Sequence, residues 1–219
     1  MSSLISELPK PSTASPKLYN RDTFTWAKQQ ADALRRRDLQ AIDWHNVIEE
    51  IESVGRAERA NWVGNCAPAL QHMLLVEHWK AVTRADAKGW RREIRAFRLG
   101  MAAAIRTNRG LQGEYVEMLA DAWADGRARA VDRLAEYSAK GAGAEDDRRF
   151  RRAVDAQLPE DCPYLVEHVN PYDPKVDKQP RDDVWPPAVA IVFNRLLGTD
   201  YEILQGPSRK PPWERGRSR

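Results

Sequence analysis

Residues 47–56 read Val-Ile-Glu-Glu-Ile-Glu-Ser-Val-Gly-Arg, and this stretch indicates the fold more clearly than any other part of the chain. Val47, Ile51 and Val54 recur at intervals of four and three residues, which is the spacing of one face of an α-helix. Three carboxylates fall within a single turn beside that face: Glu49, Glu50 and Glu52. The pattern predicts a helix with one buried apolar face and an acidic ridge next to it.

Helical spacing continues on both sides of this stretch. We predict helices over residues 22–37, from an N-cap at Asp43 to about Val76, over 86–106 and over 108–139. In the first of these helices, the residues predicted to face the core are Phe24, Ala27, Ala31 and Leu34. No stretch alternates apolar and polar residues with a period of two, so the predicted fold is all-α. Short connections between long helices favour an antiparallel bundle.

Proline marks where the helical region ends. Pro68 is the one proline within residues 17–158, and ten more follow it. Because proline disrupts helix interiors, we divide the chain into four parts. These are a disordered tail (1–17), a helical bundle (18–168), an irregular proline-rich strap with a C-terminal apolar helix (169–205), and a basic disordered tail (206–219).

The last third is predicted to hold three short helices. One lies around residues 148–157, another starts at Pro163, and the last runs from Pro186 or Pro187 to a Gly198 cap. The last helix is apolar nearly all round. Either the bundle or a partner protein must therefore bury it, and the residues assigned to partner binding are Val189, Val192 and Leu196.

Charge and hydropathy indicate whether the protein is expected to enter a membrane or to be secreted. The net charge of +3 comes from the last 14 residues, which carry about +4 by formal count and leave the rest near neutral. No window approaches the ~20 apolar residues of a membrane span, and the N-terminus lacks the pattern of a secretory signal. We therefore expect a cytoplasmic protein that does not enter a membrane.

The chain also resembles a known family. Residues 47–56 closely match a motif of the bacterial family called domain of unknown function 29, and weaker matches follow in the family's order. They are Trp26, Gln30, Ala31 and Leu34, the helix start at Asp43, residues 70–74 and 76–78, Gly89, Trp90, Ile94, Arg98, Cys162 and Pro163. The resemblance covers about residues 19–168 and implies an α-helical bacterial protein with no assigned activity.

Three charged residues could form a functional site. Glu50, His72 and Arg98 are candidate catalytic residues, and Glu50 with His72 could bind a metal ion inside a bundle. In one straight helix, however, residues 50 and 72 would lie about 33 Å apart. A shared site therefore requires a sharp bend near Gly64 and Pro68. The alternative is a structural ion pair between Glu50 and Arg98, with a close approach of helices at Gly55.

Two other functions remain open. A non-enzymatic protein-interaction module, of the toxin–antitoxin or defence type, would use the acidic ridge of Glu49 and Glu52 with Arg56, and its partner would be another protein or a second copy. A nucleic-acid accessory protein would use the basic tail through Arg209, Lys210, Trp213 and Arg215. No recognisable catalytic or cofactor motif is present, so we predict no cofactor and favour the interaction module over an enzyme.

Overall fold

The computed structural model describes residues 16–138 and 144–203. Within these ranges the chain forms helices and no strand, which confirms the all-α prediction. The α-helices are α1 (Pro16–Arg21), α2 (Thr23–Arg36), α3 (Trp44–His78), α4 (Arg84–Thr107), α5 (Tyr115–Ser138), α6 (Ala144–Asp155), α7 (Val166–Val169) and α8 (Pro187–Leu197). A 3₁₀ helix, Arg109–Glu114, directly precedes α5.

One predicted helix start is wrong. Residues 160–165 are not helical, and α7 begins at Val166 rather than at Pro163. Leu165 has an extended backbone at this point, and its N–H donates to Nδ1 of His168 at 3.2 Å. This side-chain acceptor allows a helix to begin three residues later than the proline rule indicates.

The chain divides into two compact units, with the boundary between Ala57 and Glu58. The described part of the N-terminal unit contains α1, α2 and the first residues of α3. The C-terminal unit contains the rest of α3 and all later helices. The tails predicted at the two ends lie outside the described residues, except that α1 already begins at Pro16.

The N-terminal unit is held together around Trp26 of α2. The Trp26 indole Nε1 donates to Asp43 at 3.2 Å, and the Asp43 backbone N–H donates to Oε1 of Gln30 at 2.7 Å. This places Trp26, Gln30 and Ala33 on the buried face of α2. The predicted face of α2 is therefore wrong, because Phe24 and Leu34 point outward with exposures of 72% and 45%.

The core of the C-terminal unit surrounds the second half of α3. Trp62, Leu70, Met73 and Leu74 of α3 are all fully buried. The backbone of α5 comes close to α3 at Gly126, where an added Cβ would lie 2.6 Å from the Ala67 carbonyl oxygen. The absence of a side chain at this position therefore allows the two backbones to approach this closely.

A non-helical segment and the last helix complete the C-terminal unit. We call residues 170–186 the strap. Arg106 of α4 donates to the Tyr172 hydroxyl at 3.2 Å, and Asn170 donates to the hydroxyl of Tyr115 at 3.3 Å. Helix α8 then packs against α4, and Gly198 ends it in the left-handed conformation (φ 69°), as predicted.

Candidate functional site

The acidic ridge of α3 is a set of exposed ion pairs within one helix. Nη2 of Arg56 lies 2.6 Å from Glu49, and Nη1 lies 3.5 Å from Glu52. All three side chains are more than half exposed. Exposed pairs of this kind contribute little to stability. The structure thus brings together Glu49, Glu52 and Arg56, three of the six residues that the sequence assigned to partner binding.

Glu50 points away from this ridge. Its carboxylate accepts a hydrogen bond of 2.6 Å from the Tyr19 hydroxyl, and this bond to an anion raises the pKa of Tyr19. The Tyr19 ring in turn packs edge-on against Trp26, with ring centroids 4.8 Å apart. Glu50 therefore joins α1 to α3 within the N-terminal unit.

The apolar residues beside the ridge are exposed, contrary to the predicted buried face. Ile51 and Val54 are 68% and 64% exposed, and Ile48 is 44% exposed. Gly55 is also open, since a Cβ placed there would meet nothing within 4 Å. Helix α2 makes its contacts through Trp26 and Gln30 near Asp43, so these later residues of α3 stay uncovered. The close helix approach expected at Gly55 is found instead at Gly126.

His72 lies in an aromatic environment in the C-terminal unit. Its imidazole is nearly parallel to the rings of Trp90 and Phe97, with centroids 6.2 and 6.1 Å away, and Nε2 lies 2.9 Å from Glu93. Burial lowers the pKa of His72, while the nearby Glu93 carboxylate acts in the opposite direction. The ring is therefore a neutral packing element at pH 7 that interacts with one carboxylate.

Arg98 is a buried cation whose hydrogen-bond acceptors are backbone carbonyls. Its Nη2 donates to the carbonyls of His168 and Val184, and its guanidinium carbon lies 3.9 Å from the centroid of the Trp185 ring. Nε and Nη1 are buried without a hydrogen-bond acceptor. Burial lowers the pKa of Arg98 to about 9, and Asp182 partly opposes this shift. The side chain remains a cation at neutral pH.

The predicted cluster of Glu50, His72 and Arg98 has separate surroundings in the structure. Glu50 bonds to Tyr19, and His72 pairs with Glu93. Arg98 bonds to the carbonyl of His168 in α7 and to that of Val184 in the strap. Helix α3 continues from Trp44 to His78 through Pro68. Within residues 16–138 and 144–203, no three His, Cys, Asp or Glu side chains are grouped to hold a metal ion. The metal and catalytic assignments stay predictions.

The thiol at Cys162 is also unsuited to nucleophilic chemistry. Burial raises its pKa to about 11, so the group stays protonated at neutral pH. His168, six residues later, uses Nδ1 to accept the Leu165 N–H. Burial together with the Arg98 charge lowers the pKa of His168 to about 4.

The apolar side chains of α8 pack mostly against the core of the same chain. Val189 is fully buried and has no surface to offer a partner, which corrects its assignment to partner binding. Val192 and Leu196 are partly buried against the same core. Arg209, Lys210, Trp213 and Arg215, assigned to nucleic acid, lie outside the described residues.

Sequence reasoning missed the polar residues around Arg98. Arg95 of α4 lies with Nε 3.0 Å from Asp182 of the strap, and Arg91 approaches the same carboxylate at 3.4 Å. Arg181 pairs with Asp183 at 2.9 Å. The available sequence signal was the three- and four-residue spacing of Arg91, Arg95 and Arg98, which places these arginines on one face of α4.

Fold and site together define an all-α protein whose N-terminal unit exposes a mixed acidic and apolar helix face. The chain belongs to the family described as Domain of unknown function DUF29, whose sequence profile matches residues 18–172. No curated protein and no solved structure matches the chain significantly. None of the helices described is both long enough and apolar enough to cross a membrane.

Proposed function

We propose that this protein is a non-enzymatic interaction module that binds a basic amphipathic helix of a partner protein. The binding surface is the α3 face, defined as Ile48, Ile51 and Val54 together with the ridge of Glu49, Glu52 and Arg56. One observation carries the proposal: three apolar side chains at intervals of three residues are exposed on a helix in the smaller unit.

Exposure of this kind favours a binding role. Single apolar residues are common on protein surfaces, but contiguous apolar patches mark interaction sites. Ile51 and Val54 are each more than 60% exposed, and Ile48 lies one turn before Ile51. Their burial by a partner would be favourable by about 25 cal/mol for each Å² removed from water.

The size of the N-terminal unit supports the same interpretation. Its fully or nearly fully buried apolar residues, within the part described, are Trp26, Ala33 and Ile42. Units with such small cores are usually stabilised by additional contacts. A partner helix on the α3 face would provide further apolar burial for this unit.

Charge indicates which partner fits. Between Trp44 and Glu58, α3 carries Glu49, Glu50, Glu52 and Glu58 against the single cation Arg56. A partner helix with apolar residues spaced three and four apart and flanked by Lys or Arg complements both features. An acidic helix would meet like charges on the same surface.

The test uses two model peptides of about 18 residues, one a Leu/Lys amphipathic helix and the other a Leu/Glu helix. Fluorescence anisotropy measures binding of each labelled peptide to the full chain. We expect the Leu/Lys peptide to bind and the Leu/Glu peptide not to bind. Replacing Ile51 and Val54 together by serine should weaken binding at least about tenfold, a change of about 1.4 kcal/mol.

Val116→Ser provides the matched control, because Val116 is 74% exposed on α5 in the C-terminal unit. This variant should bind the Leu/Lys peptide as the wild type does. Equal binding by the double-serine variant, or no binding by the wild type, would refute the proposal. A second copy of the chain could occupy the α3 face instead of a partner helix. Light scattering tests this alternative by measuring the molar mass in solution: a dimer that the double-serine substitution abolishes would place a second copy on the α3 face.

A further inference from the structure

A small pocket lies between α4 and the strap. Its volume is about 30 Å³, and its lining includes Arg95, Arg98, Leu99, Gln179, Arg181 and Asp182. A space of this size holds a few water-sized groups or one small polyatomic ion. The lining combines a rigid helix face with a segment of irregular chain, and most of its side chains are charged or polar.

Arg98 contributes hydrogen-bond donors that the protein leaves unused. A guanidinium has five N–H donors in a fixed plane. Nη2 uses its hydrogens on the carbonyls of His168 and Val184, while Nε and Nη1 have no acceptor. The side chain is 1% exposed, so water at the open surface does not reach these donors freely. Buried donors without acceptors are costly and unusual.

The side chains that line the pocket carry more positive than negative charge. Arg95, Arg98 and Arg181 line it against one carboxylate, Asp182, which Arg91 and Arg95 share. Outside the lining, Arg181 pairs with Asp183 and also interacts electrostatically with Asp177 and Glu167. Arg98 has no carboxylate within ion-pair distance among the described residues, so a bound anion would compensate the charge of this buried cation.

We propose that this pocket binds a small oxyanion, with Arg98 as the principal ligand and Arg95 and Arg181 at its edge. Guanidinium groups suit phosphate and carboxylate oxygens because donor spacing and charge both match. The anion would also join α4 to the strap, since Arg98 already binds the carbonyls of His168, just before the strap, and Val184 within it. This inference is independent of the α3 face.

Isothermal titration of the full chain with inorganic phosphate, and separately with acetate, tests the proposal at constant ionic strength. We expect saturable binding of at least one anion with one-to-one stoichiometry. Arg98→Lys keeps the charge but removes the fixed donor plane, and it should weaken binding at least about tenfold. Arg95→Gln, at the pocket edge, should weaken binding less than Arg98→Lys does.

Arg129→Gln is the matched control, because Arg129 forms an exposed pair with Asp125 on α5. It should bind the anion with the wild-type affinity. If Arg98→Lys does not fold, the comparison of Arg95→Gln with Arg129→Gln tests the proposal. The Arg95→Gln protein must then bind the anion more weakly than the Arg129→Gln protein does. No saturable binding of either anion, or equal weakening by Arg129→Gln, would overturn the proposal.

Discussion

Gly126→Ala tests a close approach between the backbones of α5 and α3 in the C-terminal unit. A Cβ at this position would lie 2.6 Å from the Ala67 carbonyl oxygen and 3.0 Å from Cβ of Leu70. Because both neighbours are fixed on α3, one of the two helices must shift to admit the methyl group. We therefore expect Gly126→Ala to lower the stability of the protein.

Two opposing terms set the size of the effect. Overpacking a well-packed core typically costs 1–3 kcal/mol. The cost applies here because the Ala67 carbonyl belongs to the backbone of α3 and cannot rotate out of the way as a side chain could. Alanine regains up to about 1 kcal/mol of helix propensity relative to glycine. The net loss is on the order of 1 kcal/mol, which corresponds to a melting temperature roughly 2–4 °C lower for a chain of this length.

Two other glycines provide matched controls in α4. A Cβ added at Gly89 would meet nothing within 4 Å, so Gly89→Ala should stabilise by up to about 1 kcal/mol. At Gly100 the near neighbour is the carboxamide of Asn65, whose Nδ2 donates to the Asn61 carbonyl at 2.9 Å. Moving this side chain aside would break that bond at a cost of about 1 kcal/mol, which offsets the gain in helix propensity, so Gly100→Ala should be close to neutral.

Thermal unfolding followed by circular dichroism measures all three variants under identical conditions. The expected order of melting temperatures is Gly89→Ala above Gly100→Ala, and Gly126→Ala lowest. A Gly126→Ala protein as stable as the Gly89→Ala protein would refute the close approach of α5 to α3.

Three further predictions concern the C-terminal unit. The lowered pKa of His168, about 4, means that the unfolded chain takes up a proton first as pH falls below about 6.5. Stability should therefore fall by roughly 2 kcal/mol between pH 7 and pH 5, and urea unfolding of His168→Gln should show a smaller loss. Phe193→Ala, at a fully buried position of α8, should cost about 3–5 kcal/mol, whereas the half-exposed Ile191→Ala should cost far less in the same assay. Arg127 donates to the Pro159 carbonyl at 2.8 Å and pairs with Asp155, so Arg127→Met should cost about 1–3 kcal/mol. Arg129→Met, which breaks an exposed pair, should cost less than about 1 kcal/mol.

The positions of the long helices could be predicted because their signals are local. Apolar spacing near 3.6 residues located α2 to α5, and Gly198 indicated the end of α8. The buried face of α2 could not be predicted in the same way. Phe24 and Trp26 both start plausible apolar faces, and the choice depends on the bond from Trp26 to Asp43, which lies 17 residues away.

The candidate sites differ in how much of their geometry could be predicted from the sequence. Glu49, Glu52 and Arg56 lie within one helix, so their spacing predicted their proximity. Arg98 was identified as unusual, but its acceptors are the backbone carbonyls of His168 and Val184. Every residue has a backbone carbonyl, so no side-chain pattern distinguishes the two that this arginine binds.

The hydrogen bonds of Arg98 also make the strap a place to insert foreign sequence. One nitrogen binds the carbonyls of His168, just before the strap, and Val184, near its end, and so holds these two points of the chain close together. Closing a loop twice as long costs only about 0.6 kcal/mol more. Val176 is 78% exposed midway along the strap. A short epitope inserted beside Val176 should therefore leave the helices on either side in place, and would provide a site for labelling this protein.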